Sequence, residues 1–240
     1  MQKTFLALAT LLAALGAQAQ AREAATTALA VQQVETGSAR FVPARIAVER
    51  QAIASYGPFR VLGPTRVALV GVTGSAAPAQ FAAMLRDYPA LATLEMVECP
   101  GTEDDLANLS LGRMIRAAGI ATHVPAGGSV RSGAVELFLA GATRRIDEGA
   151  EFAVHSWIDE DGREASDYAA GAAIHQPYLA YYREMGMDAA GARAFYAMTN
   201  SASFAEAKWL DAAEMRRWVG AGEARSAPRI AYLDLARVLP

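Results

Sequence analysis

The sequence predicts an α/β domain in which a mainly parallel β-sheet is flanked by helices. Three observations predict it: short runs of apolar and β-branched residues, amphipathic segments of helical period between them, and turns rich in Gly and Pro at the junctions. Strands that alternate with helices form βαβ crossovers, which place successive strands parallel to each other. The chain has 240 residues with 53% hydrophobic side chains, enough for one large packed domain.

The alternation of strands and helices is regular in the middle of the chain. The first helix begins with Pro78, and proline is favoured in a first helical turn because its missing N–H would have no partner there. The next helix has Asp104 or Asp105 to cap its start and Gly119 to end it. We expect repeated β-β-α and βαβ units, followed by a largely helical stretch at 166–219. The predicted strands are 66–72, 91–98, 120–125 and 151–157, and the predicted helices are 78–88, 105–119 and 132–142.

Charge and cysteine content exclude several classes of protein. The 22 Lys and Arg residues nearly balance the 25 Asp and Glu residues, which gives a net charge of −3. No long basic run is present, so nucleic acid is not an expected partner. The single cysteine, Cys99, excludes an intramolecular disulfide framework and a multi-cysteine zinc site. We expect no metal and no cofactor, because His123 and His175 lack acidic or cysteine partners at metal-ligand spacing.

Residues 1–19 have the three parts of a secretory signal peptide. Lys3 supplies the positive charge, an apolar stretch follows, and a small-residue cleavage site ends at Ala19. The apolar stretch is shorter than the ~20 residues that a membrane-spanning helix needs. We therefore expect a periplasmic or secreted protein with no membrane attachment after cleavage. The rest of the chain divides into a leader segment at 20–64 and the α/β domain at 65–240.

A serine and a histidine carry the chemistry that the sequence indicates. Ser132 follows a Gly-rich loop at the start of an apolar helix, where backbone N–H groups have no intrahelical partner. Such donors, at the positive end of the helix dipole, stabilise an oxyanion that forms on a bound acyl group. His155 lies on a short apolar strand, and a neutral imidazole beside a serine can take its proton. The ordinary alternatives are a helix cap for Ser132 and a core position for His155.

The stretch around these two residues resembles the ClpP-like serine peptidases of the Clp/crotonase superfamily. Its sequence is SVRSGAVELFLAGATRRIDEGAEFAVHSW, in which an Ala-Gly pair ends the apolar helix and His155 closes the next strand. Upstream, the Cys-Pro-Gly-Thr turn at 99–102 is similar to the family's Ser-Pro-Gly-Gly turn, and 208–218 resembles its closing helix. The resemblance extends over 65–219 and looks closest to secreted, uncharacterised ClpP-like bacterial proteins. It implies a ClpP/crotonase-like fold and a homo-oligomer.

The resemblance also implies a role for each site residue. Ser132 would be the nucleophile and His155 the general base, and the backbone N–H groups of Gly133 and Thr102 would form the oxyanion hole. Thr102 stands where the family has glycine, and a positive φ there would cost threonine ~1–2 kcal/mol more than glycine. Glu206 is the implied acid that orients the histidine, and a solvated surface charge is the alternative for it.

Two functions remain open from the sequence. The first is a secreted, peptidase-like serine hydrolase that acts on a peptide or ester substrate. The alternative is a non-catalytic binding or assembly protein of the same fold in the periplasm. Secretion argues against acyl-CoA chemistry, and a Ser/Lys dyad is disfavoured because Lys208 is the only lysine after the signal peptide. Asn200 and Ser203 are alternatives for the acid, and Cys99 and Ser129 are weaker candidates for the nucleophile.

Overall fold

The computed structural model describes residues 44–220, and elements are numbered within that range. The predicted signal peptide and much of the predicted leader therefore lie outside the described residues. The strands are β1 Ala54–Tyr56, β2 Phe59–Gly63, β3 Arg66–Val70, β4 Thr93–Cys99, β5 Ala121–Val124, β6 Ser129–Arg131, β7 Arg144–Ile146, β8 Glu151–Val154 and β9 Lys208–Asp211. The helices are α1 Ala44–Gln51, α2 Ala77–Asp87, α3 Asp105–Ala117, α4 Ala134–Leu139, α5 Gln176–Glu184, α6 Ala189–Thr199 and α7 Ala212–Val219. None of these helices is long and apolar enough to cross a membrane.

The described strands form one sheet in the order β1-β2-β3-β4-β6-β8-β9, with β5 and β7 on a branch that joins β4. The central pairings β3–β4, β4–β6 and β6–β8 are parallel, as are β4–β5 and β5–β7. Antiparallel pairs occur only at the two margins of the described sheet, in β1–β2–β3 and β8–β9. The predicted α/β fold with a mainly parallel sheet is confirmed.

Strand β4 changes partner along its length. Its first three residues pair with β5, and its last two, Glu98 and Cys99, pair with β6. Strand β6 therefore lies next to the carboxyl end of β4, where the chain turns into the loop at 99–104, and β8 lies on the other side of β6. This branching brings the end of β4 close to the ends of β6 and β8.

Apolar side chains pack on both faces of the sheet, as the alternation in β3 shows. Val67 and Leu69 belong to the main core, whereas Ala68 and Val70 point to the other face and pack with Val48 of α1. In a strand, successive side chains lie on opposite faces, so a strand covered on both sides is apolar throughout. This is why the continuous run at 66–72 predicted a buried strand correctly.

Several elements differ from the sequence prediction, and each difference has a local cause. The short strands β6 and β7 and the α1–β1–β2 segment were not predicted, since they are brief or lack a firm apolar period. The segment 208–218 was predicted as one helix, but it begins with β9. Asp211 caps α7 by accepting a hydrogen bond from the Glu214 N–H at 2.7 Å, so the helix starts after it. The predicted helix at 132–142 is also shorter, spanning Ala134–Leu139.

Candidate active site

Ser132 and His155 follow the carboxyl ends of two neighbouring parallel strands. In the register of β6 and β8, Arg131 lies opposite Ala153, and the Ser132 N–H donates to the Ala153 carbonyl at 2.8 Å. Each candidate residue therefore leaves the sheet at the same edge, and both line one cleft, which we call the Ser132 cleft. The structure brings together two residues that are far apart in sequence, as parallel strand ends do. No hydrogen bond joins the Ser132 hydroxyl to His155 among the described residues.

The backbone of Ser132 has an unusual conformation. Its φ is 49°, and no other non-glycine residue in the described range has a positive φ. This left-handed conformation is costly for residues other than glycine and is found where surrounding contacts impose it. The Val135 N–H donates to the Ser132 carbonyl at 2.9 Å, so the turn leads directly into α4. The sharp turn holds the half-buried Ser132 at the mouth of the cleft rather than in the strand.

Gly101 packs against the Ser132 side chain. A Cβ atom added to Gly101 would lie 2.9 Å from Ser132 Cβ and 3.3 Å from Ser132 Oγ, and Gly101 has a φ of 134°. Both the contact and the backbone conformation require glycine at this position. The loop after β4 is thereby placed directly beside the candidate nucleophile.

The loop after β4 is held by Thr73. The Thr73 N–H donates to the Gly101 carbonyl at 3.0 Å, and the Glu103 N–H donates to the Thr73 carbonyl at 2.8 Å. Thr73 and Thr102 thus form an isolated parallel β-bridge, in which the N–H of Thr102 points away from Thr73. That N–H makes no hydrogen bond with a described residue. The Gly133 N–H is likewise without a hydrogen-bond partner in the described range.

The two N–H groups belong to residues that touch. A Cβ atom added to Gly133 would lie only 2.5 Å from Thr102 Cγ2, so the predicted oxyanion residues are packed against each other. Thr102 does not have a positive φ, and the strain expected there is absent. The left-handed position in this loop is Gly101, one residue earlier, where glycine is present. The departure from the family's turn therefore carries no conformational cost at Thr102.

Asn108 links α3 to the turn at Ser132, and the sequence analysis missed it. Its Nδ2 donates to the Gly133 carbonyl at 2.6 Å, and its Oδ1 accepts a hydrogen bond from the Thr73 hydroxyl at 3.0 Å. The side chain is buried, so both bonds are shielded from water. An asparagine on the apolar face of an amphipathic helix was the sequence signal, because a buried amide needs specific partners.

His155 is oriented by a backbone carbonyl. Its Nδ1 lies 2.9 Å from the carbonyl oxygen of Ser156, and its ring meets Phe204 edge-on at 5.1 Å between centroids. A carbonyl only accepts hydrogen bonds, so Nδ1 carries the proton and a neutral ring has its lone pair on Nε2. The Ser156 N–H in turn donates to the Ala202 carbonyl at 2.8 Å, which fixes the peptide. The imidazole is thus in the tautomer that a general base requires.

The structure does not bring Glu206 to His155. Glu206 is exposed, its N–H donates to the Ser203 carbonyl at 3.1 Å, and no ion pair or hydrogen bond joins its carboxylate to His155 among the described residues. Of the two alternatives, Asn200 lines the Ser132 cleft, and its Nδ2 donates to the Tyr196 carbonyl at 2.8 Å. Its Oδ1 is buried without a hydrogen-bond partner in the described part of the chain.

The wall of the cleft contains a buried acid that the sequence analysis did not consider. Glu136 is 7% exposed, and the Tyr182 hydroxyl donates to its Oε1 at 2.6 Å. Burial raises the pKa of Glu136 to about 7, an effect only partly offset by the Tyr182 hydrogen bond. A single carboxylate inside the apolar helix AVELFL was the available signal, since Glu is rarely buried without a reason.

The weaker candidates for the nucleophile are enclosed. Cys99 is fully buried, and its pKa is raised well above the ordinary value because burial disfavours the thiolate. Ser129 is also fully buried, and its hydroxyl accepts a hydrogen bond from Arg131 at 3.3 Å. Neither side chain can reach a substrate in the Ser132 cleft.

Taken together, the fold and the cleft define an α/β protein with a serine and a histidine at the ends of adjacent parallel strands. No protein-family model and no curated protein matches the chain. Among solved structures, the chain is similar to mutants of the 1510-N membrane-bound stomatin-specific protease. One has a bound substrate peptide, with 17% identity over 64% of this chain and 73% of that one, at a TM-score of 0.43. The other has 16% identity over 64% and 74%, at 0.46.

A mutant ClpP1 from Listeria monocytogenes is similar to the same extent. It has 15% identity to this chain, over 65% of this chain and 87% of that one, with a TM-score of 0.46. Similarities at this level of sequence identity and TM-score do not show that this chain shares the activity, substrate or assembly of those proteins. The functional argument therefore depends on the geometry of the cleft itself.

Proposed function

We propose that the protein is a serine hydrolase that attacks a peptide or ester carbonyl with Ser132 and uses His155 as its general base. The observation that supports this most is the placement of both residues in one cleft, with His155 Nδ1 occupied by a backbone carbonyl. Nε2 is then the proton acceptor of the neutral ring. The left-handed turn at Ser132 is the second support, because strain of this kind is concentrated at functional sites.

The reaction follows the general course of acyl transfer. Ser132 Oγ attacks the carbonyl carbon while His155 Nε2 takes the hydroxyl proton, and the carbonyl oxygen becomes an oxyanion. The N–H groups of Gly133 and Thr102 would stabilise that charge, and their lack of hydrogen-bond partners in the described range supports this role. The imidazolium returns its proton to the leaving amine or alcohol. Water activated by His155 then releases the acyl group and restores Ser132.

A backbone carbonyl replaces the carboxylate of a full triad in this mechanism. The Ser156 carbonyl holds the His155 ring in the required tautomer, but it carries no full negative charge to stabilise the imidazolium. Turnover slower than that of a Ser-His-Asp enzyme is therefore expected. The same observation favours the second candidate function, a protein that binds a peptide in the cleft without turnover.

Labelling with a fluorophosphonate probe distinguishes the two functions. An activated serine forms a phosphonyl ester and releases fluoride, whereas an ordinary serine does not react. We expect labelling of the wild-type protein, none of Ser132→Ala, and a strong reduction in His155→Gln. Ser110→Ala, an exposed serine outside the cleft, is the matched control and should label normally. Absence of labelling in a folded wild-type protein would favour the binding function.

We further propose that this hydrolase acts outside the cytoplasm, after removal of residues 1–19, and assembles from identical subunits. The composition of the N-terminal segment supports the first proposal, and the resemblance stated above supports the second. The intact mass of protein recovered from a bacterial periplasm should correspond to a chain beginning at Gln20. A mass that retains Met1 would contradict cleavage, and light scattering would report the number of subunits.

A further inference from the structure

We propose that the Ser132 cleft selects substrates that carry a positively charged group, such as a lysine side chain on the acyl residue. This inference rests on the proposed hydrolase and adds the substrate class to it. The residues that line the cleft include two acids, Asp105 and Glu136, and no Lys or Arg. His155 is the remaining ionisable nitrogen there, and it is assigned to the reaction. No cationic side chain of the lining therefore offsets these two carboxyl groups, and Glu136 contributes its negative charge once the pH exceeds its raised pKa of about 7.

Glu136 is the strongest part of the argument. It lies four residues after Ser132, as the third residue of α4, and is buried on the wall of the cleft. The Tyr182 hydroxyl donates to Oε1 at 2.6 Å, and the backbone N–H of Glu136 also stabilises its carboxylate. No Lys or Arg lines the cleft to pair with this carboxylate, so an incoming cation would supply the missing opposite charge.

The aromatic wall favours the same class of ligand. Trp157 and Tyr178 lie parallel with centroids 6.4 Å apart, and the Trp157 indole N–H donates to the Tyr196 hydroxyl at 2.8 Å. All three side chains line the cleft. Aromatic faces attract an ammonium or guanidinium group, and the attraction is strongest where water is excluded.

Two further acceptors lie on this wall. Asp105 accepts a hydrogen bond from the Tyr178 hydroxyl at 2.6 Å, which leaves its second oxygen free of that bond. Asn200 Oδ1 has no hydrogen-bond partner among the described residues but is enclosed, so a ligand would reach it only after the Asn200 side chain rotates. An ammonium group has three donors and no acceptor, so it matches a wall of acceptors and aromatic rings.

The test compares two esters that differ in one charge, the 4-nitrophenyl esters of N-acetyl-lysine and N-acetyl-norleucine. Their side chains have the same aliphatic stem, and only lysine ends in an ammonium group. We expect kcat/KM for the lysine ester to exceed that for the norleucine ester by about tenfold or more, the size of one charged hydrogen bond. The preference should collapse in Glu136→Gln and persist in Glu184→Gln, which removes the same charge at an exposed position on α5.

The outcomes separate this inference from the proposed function. The fluorophosphonate probe has no charged side chain, so it reports the activated serine independently of substrate preference. Labelling of Ser132 with a lysine-to-norleucine ratio near one, or with a ratio unchanged in Glu136→Gln, would overturn the inference and leave the hydrolase intact. Absence of labelling would overturn both. The wild-type ratio needs no variant, so the proposal stays testable if Glu136→Gln does not fold.

Discussion

The loop around Ser132 and the loop around His155 are built in different ways. The serine side is held by three separate segments: the turn at Gly101, the threonine at 73 and the helix that carries Asn108. The histidine side is held by the carbonyl of the next residue and by one distant segment, which supplies the ring of Phe204 and the Ala202 carbonyl that fixes the Ser156 peptide. The comparison teaches that the nucleophile depends on three distant segments, whereas the tautomer of the base depends on a single adjacent backbone carbonyl. Substitutions should therefore be more damaging on the serine side.

The largest expected effect comes from Gly101→Ala. The added methyl would approach Ser132 Cβ to 2.9 Å and force the turn or the loop bearing Thr102 to move. Since the loss of one oxyanion donor slows such enzymes by roughly 10²–10³-fold, we expect fluorophosphonate labelling to slow by about a hundredfold. Gly127→Ala is the matched control, because it also has a positive φ but no atom within 4 Å of the new Cβ. Equal labelling of the two variants would contradict this role of Gly101.

The next largest effect is on stability. It tests whether Glu136, four residues after Ser132, makes the free energy of unfolding depend on pH. Glu136 has its pKa raised to about 7 by burial, against an ordinary value of 4.5. The folded protein thus holds this proton more tightly than the unfolded chain. The stabilisation is full below pH 4.5 and is lost as the pH rises towards and past 7.

Between pH 5 and pH 8 this single group should lower the free energy of unfolding by about 2–3 kcal/mol. Glu136→Gln has no such proton, so its unfolding free energy should lack this part of the decline. Urea unfolding of both proteins at the two pH values gives the difference directly. If the free energies of unfolding of wild type and variant changed equally between the two pH values, Glu136 would ionise normally in the folded protein.

A smaller effect is expected from Asn108→Ala. The variant loses the hydrogen bond to the Gly133 carbonyl and leaves the Thr73 hydroxyl without its amide acceptor. Because these groups are buried, we expect about 1–3 kcal/mol lower stability and about tenfold slower labelling of Ser132. Leu109→Ala on the same helix is a control that destabilises the core without touching Gly133. If Leu109→Ala slowed labelling equally, Asn108 would have no positioning role.

The smallest expected effect is from Glu206→Gln. Glu206 is exposed and makes no contact with His155 in the described structure, so labelling should change by less than about twofold. Stability should also stay within about 0.5 kcal/mol of wild type. A tenfold loss of labelling, with normal unfolding, would show that Glu206 reaches His155 during the reaction.

The sequence predicted the central strands and helices because their apolar residues have a clear period. The run at 66–72 is apolar on both faces, and the helix at 105–119 has a polar face, a capping Asp104 and a terminal Gly119. Strand β6 has three residues, too few for any period to be recognised, yet it is the strand that delivers Ser132.

The candidate site was predicted in part. Ser132 and His155 were paired from their local sequence and from the family resemblance, and both line one cleft, but the strand β6 that places Ser132 there was not predicted. The partner of His155 Nδ1 could not be predicted, because a neighbouring carbonyl has no side-chain signature. Glu136 and Asn108 were missed for a related reason: their importance depends on which buried groups face them, and that is decided by packing.

The Ser156 carbonyl has a consequence for genetics. A main-chain oxygen is present whatever amino acid is encoded there, so no point mutation removes the group that holds His155 Nδ1. A saturation screen for loss of activity should therefore return Ser132, His155 and residues that position Ser132, such as Gly101, but no acidic side chain that pairs with His155.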